Sequence, residues 1–74
     1  MSSRNAPQTR AFQQHLRACE HRDKVLADKD STLQQRQSAE LNVNQARRYM
    51  YNTLTLKKGD TVAAAFRRIY PELS

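Results

Sequence analysis

Three residues in the N-terminal third of the chain could bind a metal ion: His15, Cys19 and His21. His15 and Cys19 are four residues apart, so they lie on one face of a helix. Imidazole and thiolate are ligands of structural zinc sites, but such a site requires four ligands and the chain has no further cysteine or histidine. We therefore interpret Cys19 as a small buried residue and both histidines as surface residues, and we predict no metal and no cofactor.

The same thiol beside an imidazole could also serve as a nucleophile with its base. This chemistry needs a cleft with oxyanion donors, which short helices offer only at their ends. Gly59 is the only glycine, so the chain also has no glycine-rich loop that could hold a phosphate. The sequence therefore predicts a protein that is not an enzyme.

Basic residues are the most pronounced chemical feature of the sequence. Thirteen Lys and Arg stand against seven Asp and Glu, which gives a formal net charge of +6. The excess lies in residues 1–22 and 47–74, on either side of a nearly neutral middle. A solvated surface could have this composition, but the charge also suits a surface for nucleic acid or for an acidic protein face. The predicted partner-binding residues are Arg4, Asn5, Arg10, Arg47, Arg48, Lys57, Lys58, Arg67 and Arg68.

The spacing of apolar residues predicts two long helices, over about 9–29 and about 32–56. Ser31 and Gln34 fit a capping box at the start of the second helix. Leu41 points away from the apolar face of that helix and is expected to be exposed. The inward stripe of the first helix is Phe12, Leu16, Cys19 and Leu26, and that of the second is Ala39, Val43, Ala46, Met50 and Leu54.

A short third helix is predicted over about 61–70. Gly59 stands where a left-handed residue would end the second helix, and Asp60 or Thr61 would cap the third. Pro71 disfavours helical geometry at the residue before it. The inward face of the third helix is Val62, Phe66, Ile69 and Leu73. The fold class is therefore all-α, a long αα-hairpin with a short third C-terminal helix against its open end.

Two parts of the chain are expected to differ in order. Residues 1–8 are small, polar and interrupted by Pro7, so we predict a flexible basic arm followed by one helical domain over 9–74.

Leu, Ile, Val and Phe together number only thirteen, which predicts a marginally stable monomer or weak dimer that gains order from a partner. In the hairpin, the cations of the arm and those near the end of the second helix would share one pole: Arg4, Arg10, Arg47, Arg48, Lys57 and Lys58.

The turn at 57–60 could belong to a helix-turn-helix, in which glycine is common. A recognition helix reads bases from its N-terminal turns, but positions 62–65 hold one valine and three alanines. This favours docking on a protein over reading a DNA sequence. Tyr49 and Tyr51, beside Arg47 and Arg48, could stack on bases, but their helical spacing favours packing at the edge of the core.

A basic three-helix chain of this length, with the candidate reaching arm Arg4-Asn5-Ala6-Pro7-Gln8-Thr9-Arg10, resembles the small phage-encoded transcription regulators that bind RNA polymerase. The resemblance implies docking on the polymerase rather than on a promoter. It further implies hindered engagement of the sigma factor at initiation and suppressed pausing or termination at the RNA exit channel. The predicted function is thus a small regulator that docks on a large protein complex, RNA polymerase in the first place, where it could also contact nucleic acid.

Three alternatives stay open on the sequence. The chain could be a sequence-tolerant nucleic-acid-binding protein, an inhibitor of another host complex, or a structural component that self-associates through the third helix. The N-terminus has no apolar stretch of the secretory type, and no apolar run approaches about 18 residues. We therefore predict a cytoplasmic protein with no membrane partner.

Overall fold

The computed structural model describes residues 4–73, which form three α-helices and a short 3-10 helix with no strand among them. α1 spans Ala6–Ala27, α2 spans Leu33–Asn52, α3 spans Val62–Ile69, and the 3-10 helix spans Pro71–Leu73. α1 and α2 pack as an antiparallel hairpin, and the molecule measures 48 × 23 × 18 Å. The predicted all-α fold, a long hairpin with a short C-terminal helix, is confirmed.

Each α-helix begins at a side-chain cap, which supplies a partner for a backbone N–H that the helix cannot satisfy internally. Asn5 and Gln8 form a capping box at the start of α1, and Thr32 and Gln35 form another at the start of α2. The Thr61 hydroxyl accepts from a backbone N–H in the first turn of α3. These caps explain why helices of modest apolar content begin where they do.

The predicted capping box of α2 was wrong by one residue. The Ser31 hydroxyl donates to the Asp28 carbonyl at 2.9 Å and accepts from Arg36 Nε at 3.0 Å. These contacts hold Ser31 in the turn between the helices, so the next hydroxyl, that of Thr32, becomes the cap.

Residues 4–8 form no arm, contrary to the prediction. Asn5 caps α1 and the helix begins at Ala6, three residues before the predicted start. Gln8 is buried, and its Nε2 donates to the Thr53 carbonyl at 2.9 Å and to Thr55 Oγ1 at 3.0 Å. The start of α1 is thus fastened to the chain that leaves α2. Residues 1–3 of the predicted arm lie outside the described residues, as does residue 74.

α2 ends at Asn52, four residues before its predicted end. The Thr53 carbonyl accepts from Gln8, and the Thr53 hydroxyl donates to the Met50 carbonyl at 2.8 Å. These bonds occupy the Thr53 and Met50 carbonyls, which would otherwise accept from backbone N–H groups of a further helical turn. Gly59 has the predicted left-handed conformation, with φ at 85°, but it lies in the turn before α3 rather than at the end of α2.

The core lies at the open end of the hairpin, where α3 closes over it. The Phe66 ring stacks on Tyr51 at 4.6 Å and lies 5.2 Å from the Tyr70 ring. Tyr70 is fully buried, and its hydroxyl donates to the Gln8 carbonyl at 3.2 Å. The cluster of buried residues is Ala11, Met50, Phe66, Ile69 and Tyr70.

Only part of the predicted stripe of α1 faces the interior: Phe12 packs against the core cluster, but Leu16 and Leu26 are exposed. The buried residues of α1 are instead Gln8, Ala11 and His15. The buried face of α1 thus carries a glutamine, an alanine and a histidine rather than the predicted leucines.

Candidate partner-binding surfaces

The two N-terminal residues predicted to bind a partner have structural roles. Arg4 Nη2 lies 2.6 Å from Glu72 Oε2, and the Arg4 guanidinium lies over the Phe12 ring at 4.4 Å. The pKa of Glu72 is lowered by a hydrogen bond from its own backbone N–H and then by Arg4. Asn5 is the cap of α1. Arg4 therefore joins the two ends of the described chain.

Arg68 is likewise engaged within the molecule. Its Nη2 donates to Asp60 Oδ2 and to the Thr55 carbonyl, each at 2.8 Å. The pKa of Asp60 is lowered, first by the backbone N–H of Lys57 and then by the hydrogen bond from Arg68. This network fixes the turn that precedes α3, and it leaves Arg68 as a positioning residue for that turn.

Arg47 contacts an aromatic ring of the core. Its guanidinium lies 5.8 Å from the centre of the Phe66 ring, within the range of a cation–π interaction. Tyr51 stacks on Phe66 as well. The predicted packing role is therefore confirmed for Tyr51, and Arg47 is partly committed to covering the core.

His15 is buried, although it was predicted to lie on the surface. Its Nε2 is 3.5 Å from Cys19 Sγ. Burial lowers the pKa of His15, and the charges of Arg47 and Arg22 lower it further. The imidazole is therefore harder to protonate than an exposed histidine, and it lies on the buried face of α1. No group of three or more His, Cys, Asp or Glu within residues 4–73 is arranged to hold a metal ion.

Exposed apolar and basic side chains occur close together in sequence around the turn before α3. Leu56 is 54% exposed and Val62 is 51% exposed. Val62 was predicted to face inward, but the residues of α3 that contact the core begin one turn later. Lys57, Lys58 and Arg67 are also exposed. We call these five residues the turn patch.

A second surface, which the sequence analysis missed, is a shallow groove between α1 and α2. It is lined from α1 by Gln14 and Arg17, and from α2 by Asn42, Gln45 and Tyr49, among others. We call it the amide groove. The polar residues of each helix recur at intervals of three and four, which is a sequence signal for one exposed face.

The amide groove lies on the face of the hairpin opposite α3. Residues two apart in an α-helix point in nearly opposite directions, because one turn takes about 3.6 residues. The aromatic cluster at α3 uses Phe12 and Tyr51, whereas the groove uses Gln14 and Tyr49. The exposed residues Arg10 and Arg48 continue the polar rows of the groove, four residues before Gln14 and three residues after Gln45.

Comparison of the chain with protein-family models, with curated proteins and with solved structures finds no match. None of the helices within residues 4–73 combines the length and apolar character needed to cross a membrane.

Proposed function

We propose that this protein is a non-enzymatic regulator that docks through its turn patch on an acidic surface of a large protein complex. The complex that the sequence resemblance indicates is bacterial RNA polymerase, where docking would inhibit initiation or promote antitermination. The observation that carries the proposal is the turn patch itself, which combines two exposed apolar side chains and three exposed cations within residues 56–67.

The composition of the turn patch suits a protein interface. Interfaces combine a few apolar anchors, which become fully buried, with a polar rim that stays near solvent. Leu56 and Val62 supply the anchors on either side of the turn. Lys57, Lys58 and Arg67 supply the rim, and their charge selects a partner surface rich in Asp and Glu.

The acidic residues near the turn patch do not neutralise it. Asp60 is paired with Arg68 and Glu72 with Arg4, so both carboxylates of the C-terminal third are already engaged. The other five acidic residues belong to the hairpin, from Glu20 to Glu40 in sequence. The open end of the hairpin therefore carries the positive charge that would steer the protein onto an acidic surface.

Hydrogen bonds also fix the backbone of the turn at 57–60 within the turn patch. The backbone N–H of Asp60 donates to the Lys57 carbonyl at 2.9 Å, and the Lys57 N–H donates back to Asp60 Oδ2 at 2.9 Å. Arg68 ties this turn to α3 and to Thr55. A surface that is ordered before binding loses less conformational entropy when it binds.

Replacement of an anchor tests the proposal. We expect Leu56→Ser to weaken binding to purified bacterial RNA polymerase about 30-fold, which corresponds to the roughly 2 kcal/mol that defines a strong interface residue. Binding is measured by biolayer interferometry with immobilised polymerase. Leu41→Ser is the matched control, because Leu41 is 56% exposed, close to the 54% of Leu56, but lies on α2.

The control is expected to bind like the unmodified chain. Equal affinities for the two variants would contradict the assignment of the turn patch, and an absence of binding by the unmodified chain would contradict the choice of polymerase as partner.

A further inference from the structure

The amide groove presents hydrogen-bonding groups that the fold does not use. Gln14, Asn42 and Gln45 line it, and none of these three amides makes a side-chain hydrogen bond to another residue within 4–73. An amide offers both donors and an acceptor, so it can pair with the edge of a nucleic-acid base. The floor between them is formed by the small residues Ala18 and Ala46.

Cations border these amides, and no residue that lines the groove is acidic. Arg17 belongs to the lining, while Arg10 and Arg48 extend its two rows. None of the three arginines takes part in an ion pair with another described residue. Their charge is therefore available to the phosphates of a ligand.

Tyr49 adds an aromatic surface at one end of the groove. One part of its side chain packs against the core cluster, and the remainder lines the groove beside Gln45 and Ala46. Surfaces that bind single strands combine a basic track for the backbone with aromatic rings on which bases stack. Tyr49 is thus an edge of the core, as the sequence predicted, and it also presents an aromatic side chain to the groove.

We propose that the amide groove binds single-stranded nucleic acid, with the bases against Tyr49 and the amides and the phosphates against Arg10, Arg17 and Arg48. Bases that are stacked within a duplex cannot also stack on the Tyr49 ring, so the groove favours a single strand. This proposal extends the proposed function to a nucleic-acid strand near the docking site, but it concerns a different face of the molecule.

The test uses the isolated full chain and fluorescence anisotropy. The probes are labelled mixed-sequence RNA and DNA single strands, the corresponding duplex, and a polyglutamate peptide of similar charge. We expect both single strands to bind more tightly than the duplex and the peptide. Three phosphate contacts predict a slope of about −2 in a plot of log affinity against log salt concentration.

Two substitutions separate the contributions of charge and stacking. Arg10→Gln with Arg17→Gln should reduce the salt slope to about −0.7, since one phosphate contact remains. Lys57→Gln with Lys58→Gln removes the same charge from the turn patch and should leave the slope unchanged. Tyr49→Leu should weaken binding about 5- to 150-fold, the range expected for loss of a stacked base, whereas Tyr49→Phe should retain affinity.

Equal binding of the peptide would overturn the proposal in favour of a general anion surface, and equal binding of the duplex would overturn the preference for single strands. Equal effects of the Arg10/Arg17 and Lys57/Lys58 substitutions on the salt slope would overturn the assignment of the groove. All four residues are exposed, so their replacement leaves the core intact. Polymerase is absent from this assay, so a negative result for single-strand binding would not contradict docking through the turn patch. A negative result for polymerase docking would likewise not contradict nucleic-acid binding in the amide groove.

Discussion

Removal of residues 1–8 is expected to lower the melting temperature by about 8–32 °C, because it costs about 2–4 kcal/mol in total and each kcal/mol shifts a domain of this size by about 4–8 °C. The truncation removes the capping box of α1, worth about 1 kcal/mol. It also removes the Gln8 amide and leaves the carbonyl of the half-buried Thr53 without that donor, at a cost of about 1–3 kcal/mol. The melting temperature is measured by far-UV circular dichroism.

A single substitution separates the buried amide from the rest of the truncated segment. Gln8→Ala should reproduce most of the loss, because Gln8 contacts Thr53 and Thr55 as well as the backbone N–H of Asn5. Gln13→Ala is the matched control, since Gln13 is exposed on the same helix. A truncated chain that melts like the full chain would contradict the structural role of residues 4–8.

Phe66→Ala is expected to cost about 3–5 kcal/mol of unfolding free energy, the range for loss of a buried phenylalanine. The Phe66 ring contacts the rings of Tyr51 and Tyr70 and lies beneath the Arg47 guanidinium. Small domains have little stability in reserve. The expected result is therefore detachment of α3, seen as lost helicity and as a lower urea midpoint.

Val62→Ala is the control for this effect. Val62 is in the same helix but is half exposed, so its replacement should change the unfolding free energy by less than about 0.5 kcal/mol. Similar losses for Phe66→Ala and Val62→Ala would contradict the position assigned to the core.

The helices themselves could be predicted because their signals are local. The recurrence of apolar residues at three and four indicated each helix, and polar caps near Ser31 and Asp60 marked the starts of two of them. The rotation of α1 could not be predicted, because its interface contains the polar residues Gln8 and His15. Gln8 is buried only because it finds partners 45 and 47 residues away, and no local pattern reports that pairing.

The same limit applies to the predicted binding residues. Arg4 and Arg68 look like surface cations in the sequence, but they are paired with Glu72 and Asp60, and the first of these pairs spans 68 residues. The amide groove escaped prediction for another reason. Gln14, Asn42 and Gln45 carry no charge and stand out only when the two helices are placed side by side.

The most direct test of the docking surface is the affinity of two charge-reversal variants for nucleic-acid-free core RNA polymerase. Lys57→Glu with Arg67→Glu reverses the turn patch, and Arg10→Glu with Arg17→Glu makes the same change of net charge at the amide groove. We expect the first variant to lose at least about 100-fold in affinity, because like charges across an interface cost several kcal/mol. The second should bind nearly as well as the unmodified chain. Equal losses in the two variants would show that net charge alone drives binding and would contradict docking through the turn patch.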